Sequence, residues 1–277
     1  MINKKQPIKV AVLDLYNGIS NTAISAFEKL LTDCKSLHGA DMDWQVFDVR
    51  KNTALPGDKF DIYICSGGPG NPFTAHEEWD KRYFELIESL DRHNRSSATR
   101  KKYALFICHS FQLMCRQYNL GTVCLRKKPV YGIVPATFVN NGNADTVFNG
   151  LNDPFYVLDS RSWQVINPDE KVFEKMGAQL LAIEQGTAIS EAEPAMMAIR
   201  FSPYFIGTQF HPEAEPAALK NNLLTATRKN EVITAHGEAH YHELLRLLNK
   251  PSILGATYDT IIPGFLKQAI DGLKAID

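Results

Sequence analysis

Residues 103–114, YALFICHSFQLM, join an apolar run to a helical pattern through a single cysteine. The run Tyr103–Ile107 has the length and composition of a buried strand, and Cys108 follows it directly. A strand that ends on a reactive side chain and turns at once into a helix is a nucleophile elbow. The N–H groups after Cys108 would lie at a helix N-terminus, where partial positive charge favours a thiolate and a developing oxyanion. A lone cysteine after a strand is more often a packing residue, so Cys108 needs support from other motifs.

A base for Cys108 is predicted in the segment Phe210-His211-Pro212-Glu213. Side chains alternate along an extended segment, so His211 and Glu213 would project to the same side, and Pro212 stiffens the backbone between them. Glu213 can then accept from one ring nitrogen while the other nitrogen faces the thiol. The sequence therefore contains a candidate Cys-His-Glu triad.

The pattern around the elbow is one of alternating strands and helices. Strands are predicted at residues 8–15, 43–49, 61–65 and 103–107, with helices at 21–31 and 77–90. This order predicts an α/β fold, a three-layer, flavodoxin-like open sheet that is mostly parallel. Apolar segments that follow with little helix between them predict an antiparallel extension of the sheet, at residues 131–139, 154–158, 179–183, 195–200 and 204–210.

The pattern changes to helices from about Ala217, with glycine and proline between the helical segments. We therefore divide the chain into one domain at residues 1–216 and a C-terminal helical appendage at 217–277. Three roles are open for the appendage: packing on the main domain, which we favour, forming a homo-oligomer, or contacting a partner. Tyr16-Asn17, after the first strand, is either part of the site or a simple loop.

Composition limits the classes of protein. The chain has 277 residues, a net charge of −1 and 44% hydrophobic residues, which gives no indication of binding to nucleic acid or to an acidic membrane surface. No apolar run approaches the roughly 20 residues of a membrane span, and Met1–Pro7 leads straight into a strand rather than a signal peptide. Five cysteines without C-x-x-C spacing fit free thiols in a reducing cytoplasm. The stretch His236–His242 lacks H-E-x-x-H spacing, so we expect no metal there.

Three motifs, in this order, resemble the class I glutamine amidotransferases. They are SGGPGNP at Ser66–Pro72, ICHSFQ at Ile107–Gln112 and GTQFHPE at Gly207–Glu213. In order and spacing they are similar to the glutaminase domains of anthranilate, aminodeoxychorismate and GMP synthases, over roughly residues 8–216. Each motif follows a predicted strand, which strengthens the resemblance.

The resemblance implies a role for each matching residue. Cys108 would be the nucleophile, His211 the base and Glu213 the group that orients it. The backbone N–H groups of Gly68 and His109 would form the oxyanion hole. The glutamine pocket would be lined by Gly68, Pro69, Gly70 and Gln112, with Ser162 and Trp163 at the amino-acid end of the substrate.

The implied activity is hydrolysis of the side-chain amide of L-glutamine through a Cys108 thioester, with no cofactor and no metal. The chain shows no nucleotide-binding motif, so a synthase that accepts the ammonia would be a separate subunit in trans. Two alternatives stay open, which are a stand-alone hydrolase of γ-glutamyl compounds with the same triad and a regulatory or binding protein that retains the fold.

The elbow departs from the family pattern at three positions. Glycine is usual two residues before and two after the cysteine, where this chain has Phe106 and Ser110. Either the turn opens or the Phe106 ring points away, and an open turn predicts low activity that depends on a partner. His109 would either tune the thiol or lie on the helix surface.

Overall fold

A computed structural model describes residues 6–73, 78–96, 100–186 and 193–275, without the side chain of Pro251. Residues 1–5 and Glu77, which belong to predicted segments, lie outside this description. The described residues form nine strands: β1 (Ile8–Asp14), β2 (Met42–Asp48), β3 (Ile62–Cys65), β4 (Tyr103–Ile107), β5 (Thr122–Phe138), β6 (Phe155–Ile166), β7 (Gln179–Glu184), β8 (Met196–Ser202) and β9 (Phe205–Thr208).

These strands form one mixed sheet in the order β2-β1-β3-β4-β9-β8-β7-β5-β6. The pairs from β2 to β9 are parallel, and the pairs from β9 to β6 are antiparallel. The predicted fold class, a mostly parallel core with an antiparallel extension, is confirmed. The carboxyl ends of β1, β3, β4 and β9 consequently meet at one edge, where open α/β sheets place their ligand sites.

Helices cover both faces of the sheet. They are α1 (Ala23–His38), α2 (Val49–Asn52), α3 (Glu78–Arg95), α4 (His109–Gln117), α5 (Glu170–Met176), α6 (Pro216–Leu223), α7 (Ala226–His236), α8 (Glu238–Leu248) and α9 (Pro251–Lys274). One buried cluster joins the sheet to α1 and α9, and a second joins it to α3, α4 and α5. Since β4 is buried along its whole length, it contributes alternate side chains to both clusters. No helix in the described part of the chain is long and apolar enough to cross a membrane.

The long hairpin of β5 and β6 was underestimated from the sequence. Strands were predicted only at residues 131–139 and 154–158, whereas β5 begins at Thr122 and β6 continues to Ile166. The missing halves are rich in polar and charged residues, and a register shift interrupts their pairing between Leu125 and Val130. Neither feature produces an apolar period, so tertiary pairing rather than local pattern extends these strands.

The C-terminal helices pack in two different ways. Helix α9 lies in the first core cluster, where Phe265, Leu266 and Ile270 are fully buried with residues of α1 and the sheet. Helices α6, α7 and α8 form a smaller cluster with Ile133 and Leu158 of the hairpin. The proposed division after residue 216 stays a prediction, and the burial of α9 indicates how to test it.

We expect Phe265→Ala to lower the free energy of unfolding of the whole chain by about 3–5 kcal/mol, because it deletes a fully buried ring from the main core. Urea unfolding followed by tryptophan fluorescence and circular dichroism measures the loss. Leu37→Ala is the control, since Leu37 is 78% exposed and should change stability by less than about 0.5 kcal/mol. Two separate transitions, with only the smaller one affected, would instead make the tail an independent unit.

Candidate active site

Cys108 lies between β4 and α4 with an unusual backbone conformation. Its φ is +50° and its ψ is −99°, a region that L-residues rarely adopt and that stores strain. The Cys108 N–H donates to Thr208 O at 2.7 Å, which fixes the turn against β9. The predicted strand, elbow and helix are therefore present, and the thiol sits at the carboxyl edge of the sheet.

Ser110 stabilises this turn. Its Oγ accepts a hydrogen bond from the Ile107 N–H at 2.6 Å, and it lies 2.8 Å from Cys65 O and 2.9 Å from Ile107 O, either of which can accept its proton. The hydroxyl thus connects the residue before the nucleophile to the end of β3. A glycine at this position would make none of these contacts.

The Phe106 ring points away from the site. It is fully buried and packs edge-to-face against Phe201 and Phe205, with ring centroids 5.8 Å and 5.9 Å away. Gly207 lies opposite Phe106 in the parallel pair of β4 and β9, and a Cβ there would come within 2.8 Å of the Phe201 ring. Of the two outcomes foreseen for Phe106, the structure has the inward-packed ring, so this residue does not force the turn open.

His211 and Glu213 form a buried pair after β9. His211 Nδ1 is 2.8 Å from Glu213 Oε1, as the alternation across Pro212 predicts. Burial alone would lower the pKa of His211, but the negative charges of Glu213 and Cys108 outweigh it and raise that pKa well above its ordinary value. The His211 N–H donates to Leu158 O at 2.9 Å, which anchors the segment to β6.

Gly67 marks where the nucleophile and the histidine converge. A Cβ built at Gly67 would lie 2.9 Å from His211 Cε1, 3.4 Å from Cys108 Cβ and 3.4 Å from the Tyr16 hydroxyl. A larger residue would therefore push these side chains apart. Tyr16 belongs to the site rather than to a simple loop, and burial raises the pKa of its phenol.

The loop after β3 is held close to the end of β1. A Cβ at Gly68 would lie 2.3 Å from Leu15 O, so only glycine fits there. Arg50 donates to Leu15 O at 3.2 Å and to Pro69 O at 2.5 Å, which ties the loop to the sheet. Across the described residues, no acceptor takes the N–H of Gly68.

His109 is buried rather than on the helix surface. Its side chain is 2% exposed, and burial together with the charges of Arg50 and Arg116 lowers its pKa to about 3. The imidazole is neutral at physiological pH and is a poor base. The backbone N–H of His109 is the first of α4, and no acceptor within the described ranges takes it.

The sequence-predicted residues fall around two cavities. A cavity of about 590 Å³ collects Cys108 with the loop after β3, Gln112, Ser162 and Trp163. The Gln112 amide donates to Trp163 O at 3.1 Å and to Gln209 Oε1 at 3.2 Å. His211 and Glu213 line a second cavity of about 1020 Å³, which shares Cys108 with the first.

Several residues of the site were missed from the sequence. The Gln209 amide lies 3.8 Å from Cys108 Sγ, and its position inside the motif GTQFHPE could have identified it. Arg228 and Glu231 of α7 line both cavities, but no local pattern connects that helix with the site.

Burial suppresses ionisation of three other thiols. It raises the pKa of Cys34 to about 11, that of Cys65 to about 12 and that of Cys115 well above its ordinary value. These cysteines therefore stay protonated and are weak nucleophiles.

Comparisons with known proteins agree with this geometry. Residues 11–229 match the family described as glutamine amidotransferase class-I. No curated protein matches the chain significantly. The fold is similar to a glutamine amidotransferase from Thermotoga maritima, at 14% identity and a TM-score of 0.67, over 96% of this chain and 99% of that chain.

Two further solved structures are similar. A glutamine amidotransferase from Methylobacillus flagellatus has 14% identity and a TM-score of 0.56, over 93% of this chain and 94% of that chain. The glutaminase domain of CTPS from Trypanosoma brucei, with bound acivicin, has 14% identity and a TM-score of 0.53, over 74% of this chain and 86% of that chain. At these identities the likeness supports the fold alone.

We expect Glu213→Gln to lower the pKa of His211, because it removes a negative charge that stabilises the imidazolium. NMR titration of labelled imidazole measures this in a Cys108→Ala background, which removes the second charge that acts on His211. Since the folded-state pKa is raised, the ion pair stabilises the fold fully below the ordinary pKa of 6.5 and progressively less as pH rises through the raised value. The stability difference between the two proteins should shrink over that window, and equal His211 pKa values would contradict the assignment.

Proposed function

This chain belongs to the class I glutamine amidotransferases, and from that membership we propose that it hydrolyses the side-chain amide of L-glutamine with Cys108, His211 and Glu213. The observation that carries the proposal is the convergence of a cysteine on a strained elbow with a buried His-Glu pair, on either side of Gly67. An ordinary packing cysteine needs neither feature.

In the first step the sulfur of Cys108 attacks the amide carbon of glutamine, and His211 holds the proton that leaves the thiol. The raised pKa of His211 supports an imidazolium beside a thiolate. The carbonyl oxygen becomes an oxyanion, which the N–H groups of Gly68 and His109 stabilise. Donors of this kind contribute about 3 kcal/mol each.

In the second step the carbon–nitrogen bond breaks, and the amide nitrogen takes the proton from His211 and departs as ammonia. The product is a γ-glutamyl thioester on Cys108. His211 then removes a proton from water, whose oxygen attacks the thioester carbon. Glutamate leaves and the thiol is restored, while Glu213 keeps the imidazole oriented throughout.

The cavity of about 590 Å³ is the proposed glutamine pocket, since Gly68, Pro69, Gly70 and Gln112 lie around it. Gln112 is held in place by two acceptors, so its amide is already oriented. Ser162 and Trp163 line the same cavity, at the proposed amino-acid end of the substrate.

We further propose that a separate synthase subunit accepts the ammonia. The likeness to a glutaminase domain of CTPS favours this arrangement. The inward-packed Phe106 and the hydrogen-bonded Ser110 argue that no partner is needed to form the elbow itself. The purified chain should therefore hydrolyse glutamine on its own.

Substitutions in the triad test the proposed mechanism. We expect Cys108→Ala and His211→Asn to lower kcat for glutamine by roughly 10⁴-fold or more, and Glu213→Gln by a smaller factor, because orienting a base contributes less than supplying one. Steady-state measurement of released glutamate gives these rates. Limiting alkylation of the folded protein should label Cys108, whereas preferential labelling of Cys65 or Cys115 contradicts the assignment. His109→Ala is the control histidine, and a larger loss there than at His211 would reassign the base.

A second candidate function is hydrolysis of larger γ-glutamyl compounds. The cavity of about 1020 Å³ favours it, because the leaving group departs on the side of His211, and this space far exceeds one ammonia. Lys29 and Asn222 line its outer part and would face a larger leaving group. The same triad would perform both reactions.

A substrate panel separates these two functions. We expect kcat/KM for glutamine to exceed that for γ-glutamyl dipeptides and γ-glutamyl anilides by about tenfold or more, since the proposed pocket encloses the glutamine itself. The reverse ranking would establish the second function. The same assay with added cell extract tests the synthase proposal, because a partner subunit should raise the rate with glutamine alone.

A further inference from the structure

Helix α7 forms one wall of the proposed glutamine pocket. Arg228, Glu231, Val232, Ala235 and His236 all line the cavity of about 590 Å³. These positions recur every three or four residues, so they occupy one face of the helix. Val232 is also buried against Leu223 and α8, which holds that face in place.

Arg228 and Glu231 lie where the two cavities meet. Both residues, like Cys108, line the smaller and the larger cavity. Arg228 Nη1 is 2.9 Å from Glu231 Oε2, and the guanidinium lies 4.4 Å from the centre of the Tyr131 ring. His240 Nε2 lies 2.7 Å from Tyr131 O, which ties this strand to α8.

This pair supplies the accessible charges of the smaller cavity. Apart from Cys108, the described titratable side chains around it are Arg161, Arg228, Glu231 and His236. The side chain of Arg161 is 1% exposed and is already paired with Asp159 at 2.8 Å and with Glu184 at 3.2 Å. Burial and the charges of His240 and Arg228 lower the pKa of His236, which keeps it neutral at physiological pH. The side chains of Arg228 and Glu231 are 34% and 55% exposed and can be reached by a ligand.

One accessible cation and one accessible anion match the two charges of an α-amino acid. Enclosing an ammonium and a carboxylate without charged partners is unfavourable, and hydrogen bonds to charged groups are the strong ones. Ser162 and Trp163 are neutral, so they can orient the amino-acid end of a substrate but cannot neutralise it. The pair on α7 can do so if each member exchanges its partner for a substrate charge.

We propose that Arg228 binds the α-carboxylate and Glu231 the α-ammonium of the substrate, so that the chain's own C-terminal helix determines specificity for a free amino-acid end. This inference rests on the proposed function, because it names the part of the substrate that the glutaminase site selects. Arg228 and Glu231 are binding residues that do not take part in bond breaking.

Two analogues that each lack one charge provide the test. 4-Aminobutanamide is glutamine without its α-carboxylate, and glutaramate is glutamine without its α-amino group. We expect Arg228→Gln to raise KM for glutamine roughly tenfold to a hundredfold, with little change in kcat and little change for 4-aminobutanamide. Glu231→Gln should raise KM for glutamine similarly and leave glutaramate unaffected. Arg228→Lys should recover part of the loss.

The matched control is the Arg246–Glu243 pair of α8, which has the same spacing and a contact of 2.6 Å but lies outside both cavities. Arg246→Gln and Glu243→Gln should leave every KM unchanged. Circular dichroism melting checks that each variant folds, and Glu231→Gln tests the inference independently if Arg228→Gln does not.

Failure of the inference is distinguishable from failure of the proposed function. If the wild type hydrolyses glutamine through Cys108 but both α7 variants discriminate the analogues as the wild type does, only the inference is overturned. If the wild type does not hydrolyse glutamine, calorimetric titration of the Cys108→Ala protein with glutamine decides. Binding that Arg228→Gln and Glu231→Gln weaken in this background supports the inference, and the absence of binding at millimolar glutamine overturns it.

Discussion

The active-site edge depends on one constraint, the strained backbone of Cys108. A non-glycine residue with φ of +50° and ψ of −99° costs about 1–3 kcal/mol unless its surroundings enforce it. Here the Cys108 N–H is bonded to Thr208 of β9, and Ser110 bonds to Ile107 and reaches the end of β3. Both neighbouring strands of β4 therefore help hold the turn, and both also lead into loops of the site.

Close backbone approach follows from that constraint. Gly67 leaves room for Cys108 and His211 to converge, and Gly68 lies against Leu15 O, where no side chain fits. Arg50 then fixes the loop from the solvent side by bonding Leu15 O and Pro69 O. The site is thus pre-organised by backbone contacts between parallel strands, and its ionisable groups need little rearrangement.

The C-terminal helices combine stability with specificity. Helix α9 contributes fully buried side chains such as Phe265 to the main core, whereas α7 packs on the β5–β6 hairpin and faces the cavities. A tail that packs on the domain and lines its pocket closes the substrate space within a single chain. Packing and pocket formation are therefore two results of the same burial of apolar surface.

The sequence by itself determined the alternating elements, the elbow at Cys108 and the His211-Glu213 alternation, because each is a short-range pattern of period, turn or spacing. It left open where Phe106 would point, and it missed the length of the β5–β6 hairpin and the approach of Arg228 and Glu231. Those features depend on pairing and packing between residues far apart in the chain, which no local period encodes. Only the tertiary structure could place a helix from residues 226–236 beside a cysteine at 108, since that contact exists once the hairpin and the C-terminal cluster have packed together.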